Sequence, residues 1–219
     1  MKQFAVIGLG NFGLNVALKL SDMGMPVLVI DKDPAKIESI SGKVAYARVA
    51  DATDKKSLES AGVAAVNTAV VSLGKQIEPS VMATIILKEL GVPEIIVKGT
   101  TPEHGKILKL VGASYVVFPD ADMAERIAQK IISPNIVEHI PLLPGYSIVE
   151  LKAPPTFWGK TLLDLNLRRN YGVEVLVIRR GEEVKVIPSA VDKIQEGDTL
   201  VILGKNEDLQ KLKTEGEQE

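Results

Sequence analysis

Phe4-Ala5-Val6-Ile7-Gly8-Leu9-Gly10-Asn11-Phe12-Gly13 decides the reading of this chain. A short apolar run enters Gly8-x-Gly10-x-x-Gly13 and continues into an amphipathic stretch, the order of a strand, a glycine loop and a helix. Gly8 suits a tight turn and Gly10 a close approach of backbone to phosphate. Gly13 lets the helix pack on the strand, and the helix N-terminus offers free N–H groups to an anion. A second strand, Val27-Leu28-Val29-Ile30-Asp31, follows at the spacing that such a loop requires.

The same alternation extends over the first half. Short Val- and Ile-rich strands are predicted at 4–7, 27–30, 44–49, 69–73, 94–97 and 115–118, and helices at 12–23, 34–40, 55–61, 80–90 and 103–111. Asp33 before Pro34 reads as an N-cap with proline at the first helical position, and Asp54 as the cap of the next helix. Gly62, Gly91 and Gly112 read as helix closures. These units make a doubly wound, parallel Rossmann-type α/β sheet over residues 1–118. A further helix is expected at 120–132, stopping at Ser133-Pro134, with a connector to about residue 143. The rhythm then changes. Strands at 147–151, 174–178, 183–187 and 199–203, a hairpin turn at 179–182 and helices at 161–167 and 207–212 describe a small α+β lobe over residues 144–219.

Composition narrows the function. The 219 residues carry a formal net charge of −2, which advertises no polycationic face for nucleic acid. No apolar run approaches the ~20 residues of a membrane helix, and no signal peptide is read ahead of the first strand, so a cytoplasmic location is expected. The absence of cysteine removes thiolate and cysteine–zinc chemistry.

Candidate ligand residues gather at strand ends. Asp31 is placed to accept hydrogen bonds from adenosine ribose hydroxyls and to disfavour a 2′-phosphate, or it is a turn residue; Lys32 beside it brings a cation. Asp51, within Asp51-Ala52-Thr53, is either an acceptor for the adenine amine or a turn carboxylate. Ser72, Leu73 and Lys98 end the fourth and fifth strands on the same rim, and Lys98 either reaches a phosphate or is a solvated lysine. Asn11 in the glycine loop can donate a hydrogen bond but adds no charge. Catalytic groups are scarce. No tyrosine has lysine four positions on: Tyr46, Tyr115, Tyr146 and Tyr171 are followed there by Ala50, Pro119, Glu150 and Val175. The two histidines, His104 and His139, read as a solvated or capping residue at a helix start and a packing residue in the connector. Asp120 and Asp122 read as an N-cap with a first-turn acid, or as a metal or partner contact. A small NAD-dependent oxidoreductase is the rival reading.

Taken together, these segments resemble the regulatory subunits of Trk/Ktr-type potassium uptake systems, the RCK domains. The resemblance adds Leu87-Lys88-Glu89-Leu90-Gly91 before Ile96-Val97-Lys98, then Gly112-Ala113 before Val117-Phe118-Pro119. In the second half it rests on Ser147-Ile148-Val149-Glu150-Leu151 and Glu196-Gly197-Asp198-Thr199-Leu200-Val201. It implies adenine nucleotide (ATP, ADP, or NAD/NADH) bound by Gly8, Gly10, Asn11, Phe12, Gly13, Asp31, Lys32, Asp51, Ala52, Thr53, Ser72, Leu73 and Lys98. It also implies pairing through the helix after the sixth strand, assembly into a cytoplasmic ring, commonly an octamer, and docking beneath a separate membrane potassium translocator. The C-terminal lobe of such subunits can take a second effector, cyclic di-AMP in some members. Asp120 falls at an acidic position that holds a cation in some relatives. One departure is visible: many Ktr-type members carry arginine where this chain has Asn11.

Overall fold

Six short strands, buried on both faces except at the two edges, form the first sheet because the side chains of the central strands alternate between two apolar clusters. In the computed structural model, which describes residues 2–74, 77–132 and 136–215, these are β1 (Phe4–Ile7), β2 (Val27–Asp31), β3 (Tyr46–Val49), β4 (Thr68–Val71), β5 (Glu94–Lys98) and β6 (Tyr115–Val117). All pairs are parallel and the order is β3-β2-β1-β4-β5-β6. Ala5, Ile7, Leu28, Ile30, Ala69 and Val71 enter one core. Their neighbours Val6, Val27, Val29 and Val70 enter the other. A period of two, apolar on both sides, is the pattern of a sheet covered twice.

The intervening helices are α1 (Asn11–Asp22), α2 (Pro34–Ile40), α3 (Lys55–Ser60), α4 (Ile77–Glu89) and α5 (Pro102–Leu110), followed by α6 (Pro119–Ile132). Ala17 of α1 and Ile37 and Ile40 of α2 pack on one face of the sheet. Leu58 of α3, Ala83 and Leu87 of α4 and Leu108 of α5 pack on the other. The expected caps form: Asp33 accepts from the N–H of Ala35 and Asp54 from that of Ser57. Gly62, Gly91 and Gly112 take positive φ after α3, α4 and α5. The fold is the doubly wound Rossmann type expected, with the strand order reversing between β1 and β4. The helix stop at Ser133-Pro134 lies outside the described residues.

The chain divides into two compact units between Ala121 and Asp122. The second holds an antiparallel sheet of β7 (Ile136–Leu143), β8 (Tyr146–Lys152), β9 (Glu174–Arg180), β10 (Glu183–Val186) and β11 (Thr199–Lys205), in the order β10-β9-β11-β8-β7. β7 was not expected. The sequence places its residues in the connector, yet they pair along β8, with His139 opposite Val149. Pro141 is tolerated there because β7 is an edge strand. The hairpin turn is narrower than expected, Gly181-Glu182 alone. The helix expected at 161–167 is broken into α7 (Leu162–Leu165) and α8 (Leu167–Tyr171) by Asn166, which adopts a left-handed φ of 44°. α9 (Asn206–Glu215) adds Leu209 and Leu212 to a core of Val149, Leu151, Val175, Ile178, Leu200 and Ile202.

One ion pair organises this lobe. Asp198 is fully buried and receives Arg180 through both oxygens, at 2.8 and 2.9 Å, and the N–H of Gln195 at 2.8 Å. Burial pushes the Asp198 pKa up, but the Arg180 hydrogen bonds and the Gln195 N–H outweigh it, and the net direction is downward. The stability that follows is present above the ordinary aspartate range and is lost as pH falls through the lowered value. Arg180→Met leaves the carboxylate buried without its cation. Urea denaturation of the variant is expected to show a loss of about 3 kcal/mol, the low end for a broken buried pair because Arg180 itself is partly exposed. A loss under ~1 kcal/mol would mean the pair is idle.

Candidate functional site

The strand reversal leaves a cavity of about 330 Å³ over the carboxyl ends of β1, β2 and β4. Two glycines make it possible. Gly8 has φ +93°, and a Cβ there would lie 2.2 Å from the carbonyl oxygen of Ser72. A Cβ on Gly13 would lie 2.0 Å from the carbonyl oxygen of Gly8. Gly10 differs: its φ is −71° and a Cβ would meet nothing within 4 Å. The first and third glycines therefore close the loop on the sheet and helix, and the second keeps open space at the N-terminus of α1. No acidic side chain occupies the first turn of that helix, and Gly10 caps it without a side chain. Its N–H groups and positive dipole end are left for an anion.

Asp31 is buried and shapes the loop directly. Its Oδ2 accepts the N–H of Leu9 at 2.6 Å and its Oδ1 that of Asp33 at 2.9 Å. Lys36 Nζ stands 3.5 Å from Oδ2. Asp51 accepts both the N–H of Thr53 (2.8 Å) and its hydroxyl (2.7 Å) on Oδ1. Those two hydrogen bonds hold its carboxyl below the usual range, and Oδ2 takes neither. The turn reading and the ligand reading of Asp51 are thus compatible in one geometry.

Nine of the expected residues line the cavity together: Gly8, Gly10, Asp31, Lys32, Asp51, Ala52, Thr53, Ser72 and Leu73. Gly13 supports it from below, by the contact with Gly8. Asn11, exposed at the first position of α1, and Phe12 are not among the lining residues. Lys98 is elsewhere engaged: its Nζ lies 2.7 Å from Asp120 Oδ2 and 5.9 Å from the centroid of the Phe12 ring. Asp120 is thus ion-paired within the chain, and among the described residues no group of three or more His, Asp or Glu side chains is placed to hold a metal. The sequence reading missed Lys36 and Pro79, which also line the cavity. A surface lysine on a short helix carries no signal until the helix is seen to start at the ribose-side strand end.

His104 departs from expectation. It is 1% exposed, not solvated, and its ring joins α4 to the end of β5. Nε2 lies 2.9 Å from Ser80 Oγ, and Nδ1 lies 3.3 Å from the N–H of Thr100 and 3.0 Å from its hydroxyl.

In the second unit, a groove of about 310 Å³ is lined by Leu162, Leu163 and Asn166 on one side and Pro188 and Ala190 on the other. Arg168 at its edge is paired with Glu174.

Residues 4–119 match the TrkA-N domain and residues 146–215 the TrkA-C domain. The chain is 38% identical to Ktr system potassium uptake protein C of Bacillus subtilis (strain 168) over 211 residues, 96% of each chain. It is 37% identical to Ktr system potassium uptake protein A of the same organism over 215 residues, 98% of this chain and 97% of that one. The chain belongs to the Ktr/TrkA family of potassium-uptake regulatory subunits. In the Ktr/TrkA frame the two matched domains fall on the two sheets described above. The fold is also that of the GsuK channel bound to NAD, with a TM-score of 0.53 and 20% identity, covering 100% of this chain and 39% of that one.

The glycine geometry separates folding from binding. Gly8→Ala and Gly13→Ala are expected to lower stability by at least about 2 kcal/mol, from backbone collision and, at Gly8, positive φ as well. Gly10→Ala is expected to lower it by less than about 1 kcal/mol, the modest cost of alanine at an N-cap. Chemical denaturation of the three variants checks the contrast.

Proposed function

We propose that this chain is the nucleotide-sensing regulatory subunit of a potassium uptake system and not an enzyme. The cavity at the strand reversal takes an adenine nucleotide, ATP, ADP or NAD/NADH. The observation that carries the reading is the coincidence in one cavity of open backbone at Gly10, the α1 N-terminus, and the Asp31 and Asp51 carboxylates at adjacent strand ends. Phosphates would lie against the N–H groups after Gly10, ribose at Asp31 and the adenine edge at Asp51. The NAD in the GsuK channel, a protein of the same fold, supports this ligand class.

With Asn11 neutral and Lys98 paired to Asp120, the described residues offer the phosphate end backbone N–H groups and the helix dipole, a term of ~0.3–1 kcal/mol at an exposed site. Among the described residues the lysines that line the cavity, Lys32 and Lys36, stand beside Asp31 instead. A terminal phosphate that recruits Lys98 competes with Asp120 for its charge. Asp120 sits in the first turn of α6, so that competition links phosphate to α6 and offers Asp120 as a cation ligand when a second copy supplies more oxygens.

Subunits pair through α6, whose Met123, Ile127 and Ile131 are exposed at a spacing of four, one apolar stripe along a helix. Pairs assemble into a ring, taken as an octamer, on the cytoplasmic side of a separate membrane translocator. Among the described residues no helix is long and apolar enough to cross a membrane. A nucleotide gates that partner by its differential affinity for two ring shapes, typically ~1–3 kcal/mol of coupling. The groove beside α7 is the proposed seat of a second effector.

Calorimetry with ATP, ADP and NAD, run with solution scattering of each complex, tests the proposal. Binding is expected with each nucleotide class that fits the cavity, with a shape difference between at least two complexes. Gly10→Ala is expected to weaken binding at least about tenfold without loss of fold. No binding by any of the three, or identical scattering throughout, contradicts the proposed switch.

A further inference from the structure

The binding cavity accounts for Asp31 and Asp51 but not for the buried imidazole of His104. Its hydrogen bonds fix its tautomer. The N–H of Thr100 can only donate, so Nδ1 must accept. Thr100 Oγ then donates to the same nitrogen, and the ring proton resides on Nε2, given to Ser80 Oγ at 2.9 Å. The Ser80 hydroxyl donates in turn to the carbonyl of Ile77 at 2.7 Å, and the Ser80 carbonyl accepts from Thr84 Oγ at 2.6 Å. A directed chain therefore runs from the end of β5, through the neutral ring, to the first turn of α4. Pro79, the residue before Ser80, lines the cavity, as do Ser72, Leu73 and Gly74 ahead of α4.

We propose that His104 is a positioning residue for the nucleotide cavity, and that protonating it weakens nucleotide binding. A proton on Nδ1 removes the acceptor of the Thr100 N–H and sets two N–H groups against each other. The Thr100 hydroxyl can turn to accept the new proton but the backbone N–H cannot, so the ring shifts toward the hydroxyl and away from the backbone of the loop after β5. Ser80 and the first turn of α4 lose their fixed partner with it. This rests on the nucleotide reading of the cavity given above.

The electrostatics favour such a switch without a counter-charge. The charged side chains on the elements around the ring are Glu78, Lys88 and Glu89 on α4, Glu94 and Lys98 on β5, and Glu103, Lys106 and Lys109 on α5; β6 carries none. None hydrogen-bonds to the ring among the described residues, and burial alone moves the His104 pKa, downward. The sign follows. Nucleotide affinity is constant above the ordinary histidine value of about 6.5 and falls as pH drops through the lowered folded-state value. Fold stability from His104 is likewise complete above about 6.5 and is lost toward that lower value.

The test uses the full chain and NAD, whose diphosphate does not titrate where imidazole does. Calorimetric affinity is measured across the imidazole range for the wild type, His104→Gln and His139→Gln, the latter removing the second histidine of the chain. Wild type and His139→Gln are expected to lose affinity about tenfold on acidification, and His104→Gln to bind with a flat profile. The reciprocal measurement is an NMR titration of the His104 ring in the wild type, which stands even where the variant fails to fold. Bound NAD is expected to lower the His104 pKa by about one unit, the linked equivalent of a tenfold affinity change. A pH profile in His104→Gln equal to the wild type's, or a His104 titration blind to NAD, overturns the coupling while leaving the cavity's ligand intact. Absence of NAD binding at every pH overturns both.

Discussion

Everything at the site depends on a place where three stretches of backbone meet without a side chain between them. Gly8 touches the carbonyl of Ser72, and Gly13 touches the carbonyl of Gly8. The strands beneath are locked by the Gly8 N–H to Ile30 and the Ser72 N–H to Ile7, both at 2.7 Å. β1, β2, β4 and α1 are thereby brought to one point. Asp31 then spends its carboxylate holding Leu9 and Asp33, so the acid expected to grip a ribose is also a fastening of the loop. Loss of that acid conflates folding and binding, whereas Gly10 touches only empty space.

The charges are arranged differently from what a phosphate site built on arginine would show. Asn11 contributes none, Lys98 is engaged by Asp120 and lies over the Phe12 ring, and among the described residues the two lysines that line the cavity stand beside Asp31. In the proposed reading a nucleotide gains its electrostatic hold from oriented backbone, and any phosphate contact with Lys98 bears on Asp120 in the first turn of α6, the helix that exposes an apolar stripe. The second unit supplies a rigid sheet, fastened by Arg180 and Asp198, beneath an independent groove.

Most of this was legible in the chain because parallel strands announce themselves as apolar runs and glycine loops as fixed spacings. Phe4–Ile7, Pro34–Ile40 and the caps at Asp33 and Asp54 follow from local chemistry alone. β7 was hidden by Glu138, His139 and Pro141, polar and proline positions that mark an edge strand and equally a loop. The break at Asn166 needed a left-handed residue that only packing reveals. His104 was misread because the first turn of a helix is normally wet; here α4 lies over it, and no local pattern encodes a neighbour 24 residues away. Lys36 and Pro79 became site residues only when their helices were seen to begin at strand ends.

The central claim is that an adenine nucleotide rests its phosphates on the backbone at the start of α1. Titration of the isotope-labelled protein with ADP, followed through its backbone amide NMR signals, addresses that claim residue by residue. The account predicts its largest shifts at the N–H groups of Asn11, Phe12 and Gly13, with saturation in step with those of Asp51 and Thr53. Shifts confined to residues of the second unit, with the α1 amides unmoved at saturation, would contradict it.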